Sequence, residues 1–329
     1  MKKVAIVMGG YSGEFNVSLK SGQAVFEHLD RNEFEPYKIH IFKDKWVLVD
    51  ENGDEYPINR HDFSVQMNGR PFKYDVVFNA IHGTPGEDGY LKAYLHMIGL
   101  PCTGCGFYQA VLTFNKRGCL NLLNALGIKT APSFYLDKGQ DFSVETILQK
   151  TGLPCFVKPS RSGSSLGVSK VSEKEKLGPA IEKAFQEDKE ILIEKALDGT
   201  EVSVGVIEYM GEVKVLPITE IVSENEIFDY EAKYSGRSQE ITPARLSPDI
   251  DQKVKAVAEK IYRMLKMSGL SRAEYIIVNG EPYFLEINTF PGVTTESILP
   301  KQVRQVGLSM RDLFGNELHT ALNKKQNLR

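Results

Sequence analysis

Several things are missing from this chain, and each absence narrows its class. No window of its 329 residues approaches the roughly 20 apolar residues a membrane span needs. The apolar run after Met1-Lys2-Lys3 stops at Gly9-Gly10, too short for an export signal. Cysteine is scarce. Cys102 and Cys105 have no second close pair to match them, and Cys119 and Cys155 stand apart, so zinc-like spacing is absent and a reduced, cytoplasmic setting is the simpler reading. Excess charge is missing as well: a net charge of −3 excludes a general binder of nucleic acid or membrane surface. There is no internal repeat and no low-complexity run. What remains is a chain with 42% hydrophobic residues, enough for ordinary buried cores in two or three domains.

The hydrophobic pattern predicts strands over 4–8, 37–42 and 75–80, with helices over 17–29 and 91–98 between and after them, a small doubly wound α/β unit. A second region carries a helix over 109–126, strands over 154–158, 167–171 and 190–195, and a helix over 173–186. A third has strands over 202–208 and 213–220, a long polar stretch over 223–243, an amphipathic helix over 249–267 and a hairpin over 272–289. Helices over 300–306 and 310–321 close the chain. A polar stretch that long inside a compact chain reads as a functional lid or a disordered segment.

The hairpin is the most informative segment. Pairing Arg272 with Asn288 and Glu274 with Glu286 puts Ala273, Tyr275 and Ile277 opposite Ile287, Leu285 and Tyr283, an all-apolar face that a one-residue slip would destroy. The same register implies a three-residue turn at Asn279-Gly280-Glu281. On the other face two carboxylates lie opposite each other and would repel. A divalent cation with oxygen ligands, completed by the Asn288 carboxamide, resolves that conflict; a solvent-facing strand pair with incidental acids remains open on this segment alone.

Other segments could hold anions. The Gly/Ser loop 160–167, preceded by Lys158, offers backbone and hydroxyl donors, yet lacks a Walker ending. In the segment 191–201, Glu194, Lys195 and Leu197 could meet a nucleobase edge and Glu201 a ribose. His82 and Glu87 lie in a Gly-rich loop after the strand 75–80, where ligands bind in α/β sheets. Glu14, in the Gly9-to-Glu14 turn, could hold a substrate ammonium. Lys233 and Tyr234 sit in the polar stretch, where a lid would bring a cation to phosphates. Each segment alone reads equally as a loop, cap or strand end.

Together these segments resemble the D-alanine–D-alanine ligases of the ATP-grasp superfamily, in order over nearly the whole chain. The carriers are Gly-Gly-Tyr-Ser-Gly-Glu (9–14), His-Gly-Thr-Pro-Gly-Glu-Asp-Gly (82–89), Lys-Pro-Ser-Arg-Ser-Gly-Ser-Ser-Leu-Gly (158–167), Asp-Tyr-Glu-Ala-Lys-Tyr (229–234) and Leu-Glu-Ile-Asn-Thr-Phe-Pro-Gly-Val-Thr (285–294). The resemblance implies a three-domain ATP-grasp architecture: a doubly wound N-terminal substrate domain over 1–102, a central subdomain over 103–194, and a C-terminal subdomain over 195–329 with a lid at about 221–245.

It also implies roles. Lys116, Lys158, Ser164, Glu194, Lys195, Leu197, Glu201 and Lys233 look like ATP contacts, and Glu274, Glu286 and Asn288 like ligands of two magnesium ions, for which manganese substitutes. Glu14, Ser164 and Tyr234 resemble a hydrogen-bonded triad that closes the lid. His82 and Glu87 would polarise and orient the first D-alanine, whose ammonium Glu14 holds. Arg272 and the Gly292 N–H resemble an oxyanion pair, and Ser297 the holder of the second carboxylate. The implied product is D-alanyl-D-alanine for peptidoglycan precursors, made in the cytoplasm by a homodimer. Tyr234, where D-lactate-using relatives carry Phe, points to the dipeptide. Two departures stand out: Asn115-Lys116 replaces the family's usual Asp-Lys, and Glu274 its usual Asp. The rival readings are a ligase for other carboxylates and amines and a non-catalytic nucleotide binder.

Overall fold

A computed structural model describes residues 1–67, 69–223 and 238–326. It is built on three sheets: seven strands, four strands and six strands.

The first sheet is only partly the expected doubly wound unit. Strands β1 (Lys2–Gly9), β2 (Phe34–Ile41) and β7 (Val76–Asn79) run parallel, with β1 in the middle. Between β2 and β7 the chain adds four short strands that the sequence reading passed over: Trp46–Val49, Glu55–Asn59, Ser64–Met67 and Arg70–Phe72. They extend the sheet as an antiparallel meander. Their length, and Pro57 and Pro71 within them, hide any run of alternation, and proline is tolerated near a sheet edge. Alternation along β1 sends Val4, Ile6 and Met8 to one core and Ala5 and Val7 to another. Helix α1 (Phe15–His28) covers the first face and α2 (Tyr90–Met97) the second, as a parallel sheet requires.

The expected helix over 109–126 is two helices, α3 (Phe107–Phe114) and α4 (Lys116–Ala125), broken at Asn115. Asn115 is extended, and its side chain caps α4 by accepting from the Gly118 N–H at 2.8 Å. An Asn that bonds the backbone this way ends one helix and starts the next.

The four-stranded sheet holds β8 (Ser133–Asp137), β9 (Cys155–Pro159), β10 (Ser169–Val171) and β11 (Glu190–Lys195) in the order β10-β9-β11-β8. Helices α5 (Val144–Thr151) and α6 (Leu177–Glu187) pack on it. In the six-stranded sheet, β12 (Thr200–Tyr209) is central. The strand expected over 213–220 is two, β13 (Glu212–Val215) and β14 (Thr219–Ser223), and β14 pairs with β15 (Ser238–Ile241) so that Ser223 meets Ser238. The strands on either side of the expected lid are therefore neighbours; residues 224–237, with Lys233 and Tyr234, lie outside the described residues. Helix α7 (Pro248–Met264) backs this sheet.

The hairpin β16 (Leu270–Val278) and β17 (Glu281–Asn288) keeps the expected register at Arg272–Asn288, Ala273–Ile287 and Glu274–Glu286. Beyond Glu274 a bulge shifts it, and Tyr275 faces Phe284 rather than Leu285, and Ile277 faces Pro282 rather than Tyr283. The turn is correspondingly shorter, two residues, with Asn279 at φ 51° and Gly280 at φ 77°, the left-handed pair of a type I′ turn. The extra residue throws Leu285 onto the same face as Glu286, and both line the central cavity.

Packing does not follow chain order. Helices α3 and α4 contribute Ala110, Cys119, Leu120 and Leu123 to the core of the six-stranded sheet. The closing helices, α8 (Ile298–Gln305) and α9 (Met310–Gln326), contribute Leu299, Val303, Leu313 and Phe314 to the N-terminal core beside Val4, Ile6 and Phe78. No helix among the described residues is long and apolar enough to cross a membrane.

Candidate active site

The three sheets converge on one cavity of about 360 Å³. Its walls include Glu14, His82, Glu87, Lys116, Lys158, Ser164, Glu194, Lys195, Leu197 and Glu201. Arg272, Glu274, Glu286, Asn288 and Gly292 complete them. Every sequence-predicted site residue among the described ones lines it except Ser297, which stands just behind: a Cβ built on Gly292 would lie 2.8 Å from the Ser297 hydroxyl. Ser297 is the N-cap residue of α8, and its hydroxyl bonds Thr294 at 2.8 Å.

From the N-terminal sheet come two interlocked loops. The Tyr11 N–H donates to the Thr84 carbonyl at 2.8 Å, and the Ser12 hydroxyl to the His82 carbonyl at 3.0 Å. Gly10, at φ 98°, could carry no side chain: a Cβ would sit 2.8 Å from Ile81. This locking aims Glu14 into the cavity, where its carboxylate accepts from the Ser164 hydroxyl at 2.5 Å. Two members of the expected triad are thus in contact across the domain junction. Ser164 and Ser165 both hold left-handed φ, 49° and 58°, strain of the sort that surrounding structure imposes at binding loops.

His82 lines the cavity, but both ring nitrogens already have protein partners. Nδ1 donates to the Phe290 carbonyl at 3.0 Å, which leaves Nε2 to accept from the Ser21 hydroxyl at 2.8 Å. Burial lowers its pKa, against the pull of Glu14 and of the bond to Phe290. Nδ1 thereby ties the 82–89 loop to the 289–292 loop, and Nε2 ties it to α1. Glu87 is buried, and desolvation, with Glu14 adding to it, pushes its carboxyl up to about 8. One oxygen accepts from the Gly83 N–H at 2.8 Å, so Glu87 shapes the loop.

The wall opposite these loops is dense in ion pairs. Lys158 meets Glu194 at 2.6 Å. Burial opposes the Lys158 charge most strongly, but the carboxylates of Glu194, Glu286 and Glu201 together hold the amine above its ordinary value. Lys116 pairs with Glu286 at 3.2 Å and donates to the Ser162 carbonyl at 2.8 Å. Arg272 pairs with Glu274 and donates to the Ser203 hydroxyl at 2.9 Å; burial opposes its charge, and Glu274, Glu286 and Glu240 together raise the guanidinium pKa.

Each opposed carboxylate of the hairpin is therefore held by its own cation in this structure. Among the described residues no three His, Cys, Asp or Glu side chains cluster as a metal site. The oxygen set Glu274, Glu286 and Asn288 suits magnesium only when phosphate or water oxygens complete the shell. Sequence reading missed the apolar floor, Phe156, Val168, Ile276 and Leu285. Phe156 was legible, because period-2 alternation puts it on the Lys158 face; Leu285 was not, since the bulge turns it inward.

A fold with a nucleotide-sized cleft between a four-stranded and a six-stranded sheet, behind an α/β unit, defines the ATP-grasp class. Family models described as D-ala D-ala ligase N-terminus and C-terminus match residues 3–105 and 122–318, and the chain belongs to the D-alanine–D-alanine ligase family. A Flavobacterium johnsoniae protein named D-alanine--D-alanine ligase is 58% identical over 98% of this chain and 100% of its own length. The crystal structure of D-alanyl-alanine synthetase A from Vibrio cholerae superposes with a TM-score of 0.88 at 28% identity, covering 98% of each chain. A Bacillus anthracis D-alanine--D-alanine ligase complexed with ATP gives 0.80 at 26% identity, covering 100% of both chains.

Proposed function

We propose that this chain converts ATP and two molecules of D-alanine to D-alanyl-D-alanine, ADP and phosphate, by way of an acylphosphate. The observation that carries this reading is the meeting of Glu14, the Ser164 loop and the Arg272–Asn288 hairpin around one cavity. ATP lies against Phe156, Ile276 and Leu285, with its base edge at Lys195–Leu197 and its ribose at Glu201. Lys116 and Lys158 neutralise the phosphates, and positioning plus charge neutralisation is what phosphoryl transfer needs. Glu274, Glu286 and Asn288 would hold magnesium, which when bound would further neutralise the transferring phosphoryl group.

The first D-alanine is held by its ammonium on Glu14, and its carboxylate takes the γ-phosphoryl group. The amine of the second then attacks the acyl carbon and expels phosphate. Arg272 and the Gly292 N–H stabilise the oxyanion, a contribution of about 3–4 kcal/mol for a preorganised donor. Ser297 holds the second carboxylate from behind Gly292. The segment carrying Lys233 and Tyr234 shields the acylphosphate from water. The product suits peptidoglycan precursor synthesis in the cytoplasm. A homodimer is part of the reading, supported by the exposed Tyr90, Met97, Phe107, Tyr108 and Val111 on α2 and α3.

Phosphate release from ATP and magnesium with D-alanine, but not with L-alanine, tests the activity. Release with L-alanine alone, or with neither, refutes it. D-lactate as second substrate at neutral pH should give little product, and Tyr234→Phe should raise that share; equal use of D-lactate by the unaltered chain contradicts the role of Tyr234.

A further inference from the structure

The break between α3 and α4 does more than end a helix. Asn115 Oδ1 accepts twice, from the Gly118 N–H at 2.8 Å and the Ser160 hydroxyl at 3.0 Å. Its Nδ2 points at the Glu190 carboxylate at 3.5 Å. Ser160 is wholly buried at the root of the Gly/Ser loop. Its carbonyl accepts from the Lys116 N–H at 2.9 Å, its hydroxyl from the Arg117 N–H at 3.3 Å, and its own N–H donates to the Glu190 carbonyl at 2.8 Å. The start of α4, the root of the loop and the start of β11 are thus tied at one point, and the next residue along, Lys116, enters the cavity.

We propose that Asn115, Ser160 and Glu190 form a clamp that positions Lys116 and the root of the 160–167 loop for the nucleotide, and that the clamp requires an amide at position 115. This rests on the reading of Lys116 as an ATP contact. A carboxylate at 115 could keep both accepted bonds, but its second oxygen would face the Glu190 carboxylate where Nδ2 now donates. Among the described residues the two arginines at this junction are already engaged: Arg161 holds Asp188 through two side-chain bonds and shares Glu190 at 3.3 Å, and Arg117 holds Asp137 at 2.7 Å. Relief of that repulsion moves the N-terminus of α4, and with it the Lys116 backbone.

The test is steady-state kinetics on Asn115→Asp, Glu190→Gln, their double variant, Ser160→Ala and Lys116→Ala, with melting curves for each. Asn115→Asp should raise KM for ATP about tenfold, the effect of one like-charge contact near the surface, and leave KM for D-alanine within about twofold of the starting value. Glu190→Gln, added to Asn115→Asp, should restore most of the loss. Ser160→Ala should raise KM for ATP about threefold, in the same selective way, as loss of one buried hydrogen bond does. An Asn115→Asp variant with unchanged KM for ATP, or one whose defect Glu190→Gln does not relieve, overturns the clamp. So does a defect that spreads equally over both substrates and follows the melting temperature. If Lys116→Ala leaves KM for ATP untouched, the reading of Lys116 falls and takes the clamp with it; a Lys116→Ala defect without an Asn115→Asp defect sinks the clamp alone.

Discussion

Glu317 sits on α9, outside the motifs that line the cavity, and is buried beside Gly104 and Gly269. One carboxyl oxygen accepts from the Gly104 N–H at 3.3 Å, and the other has no hydrogen-bond partner among the described residues. Gly269 makes room for it, since a Cβ there would lie 2.8 Å from that carboxyl. Burial pushes the Glu317 carboxyl up to about 7 from 4.5; the Gly104 N–H, Lys324 and Lys92 pull it back in part, and Glu208 adds to the rise. The folded state thus binds the proton more tightly than the unfolded chain. Its stabilising effect is complete below about pH 4.5 and is lost as pH rises through about 7. At about 1.4 kcal/mol per pH unit, the rise amounts to roughly 3 kcal/mol. Glu317→Gln removes the titration and keeps an oxygen for Gly104. Urea unfolding of both proteins from pH 5 to pH 9 should show the variant gaining roughly 2–3 kcal/mol on the unaltered chain across that window. A gap that is the same at pH 5 and pH 9 refutes the reasoning, whatever its sign, because it leaves Glu317 with no proton linkage to folding.

Other consequences can be checked alongside. Glu286→Ala removes a partner of Lys116 and a candidate metal ligand, and turnover should fall by more than about 100-fold; near-normal turnover removes Glu286 from the metal set. Gly163→Ala places a Cβ 2.3 Å from the Glu14 carboxylate, so Glu14 must move, and kcat/KM for D-alanine should drop about 10- to 100-fold with little change in ATP affinity measured by titration. Gly280→Ala meets open space but a left-handed φ of 77°, and should cost about 1 kcal/mol in urea unfolding with both KM values unchanged.

How far these features could be read ahead depends on what fixes each one. The register at Arg272–Glu286 was legible because slipping it mixes charge with apolar partners. The bulge after Glu274 was not, because Tyr275 finds an aromatic or aliphatic partner in either register and only the two-residue Asn279-Gly280 turn decides between them. The contact between Glu14 and Ser164 spans 150 residues, beyond any local pattern, and was reached only through resemblance. The doubly bonded His82 ring could not be foreseen either, since its partners Ser21 and the Phe290 carbonyl carry no motif. The helix break at Asn115 was hidden by apolar periodicity that runs through it.

The way the cores divide bears on how the site works. The N-terminal and six-stranded sheets share one core, in which Val4, Ile6 and Phe78 pack with Ile207, Leu216 and Leu270 beneath α8 and α9. The four-stranded sheet keeps a core of its own, Leu136, Cys155, Val157, Ile181 and Ile193 among others, and lends only Leu192 and the half-buried Tyr135 to its neighbour. Glu14, His82, Arg272 and Gly292 are therefore carried on one packed body, while Lys158 and the 160–167 loop ride on another, and the links between the two include the Asn115–Ser160 contacts, the Arg117–Asp137 pair and the Ser164–Glu14 bond. Units with separate cores and a polar junction move against each other more readily than units that share one. Glu14, proposed to hold D-alanine, thus sits on the shared body, and Lys158, proposed to meet ATP, on the other.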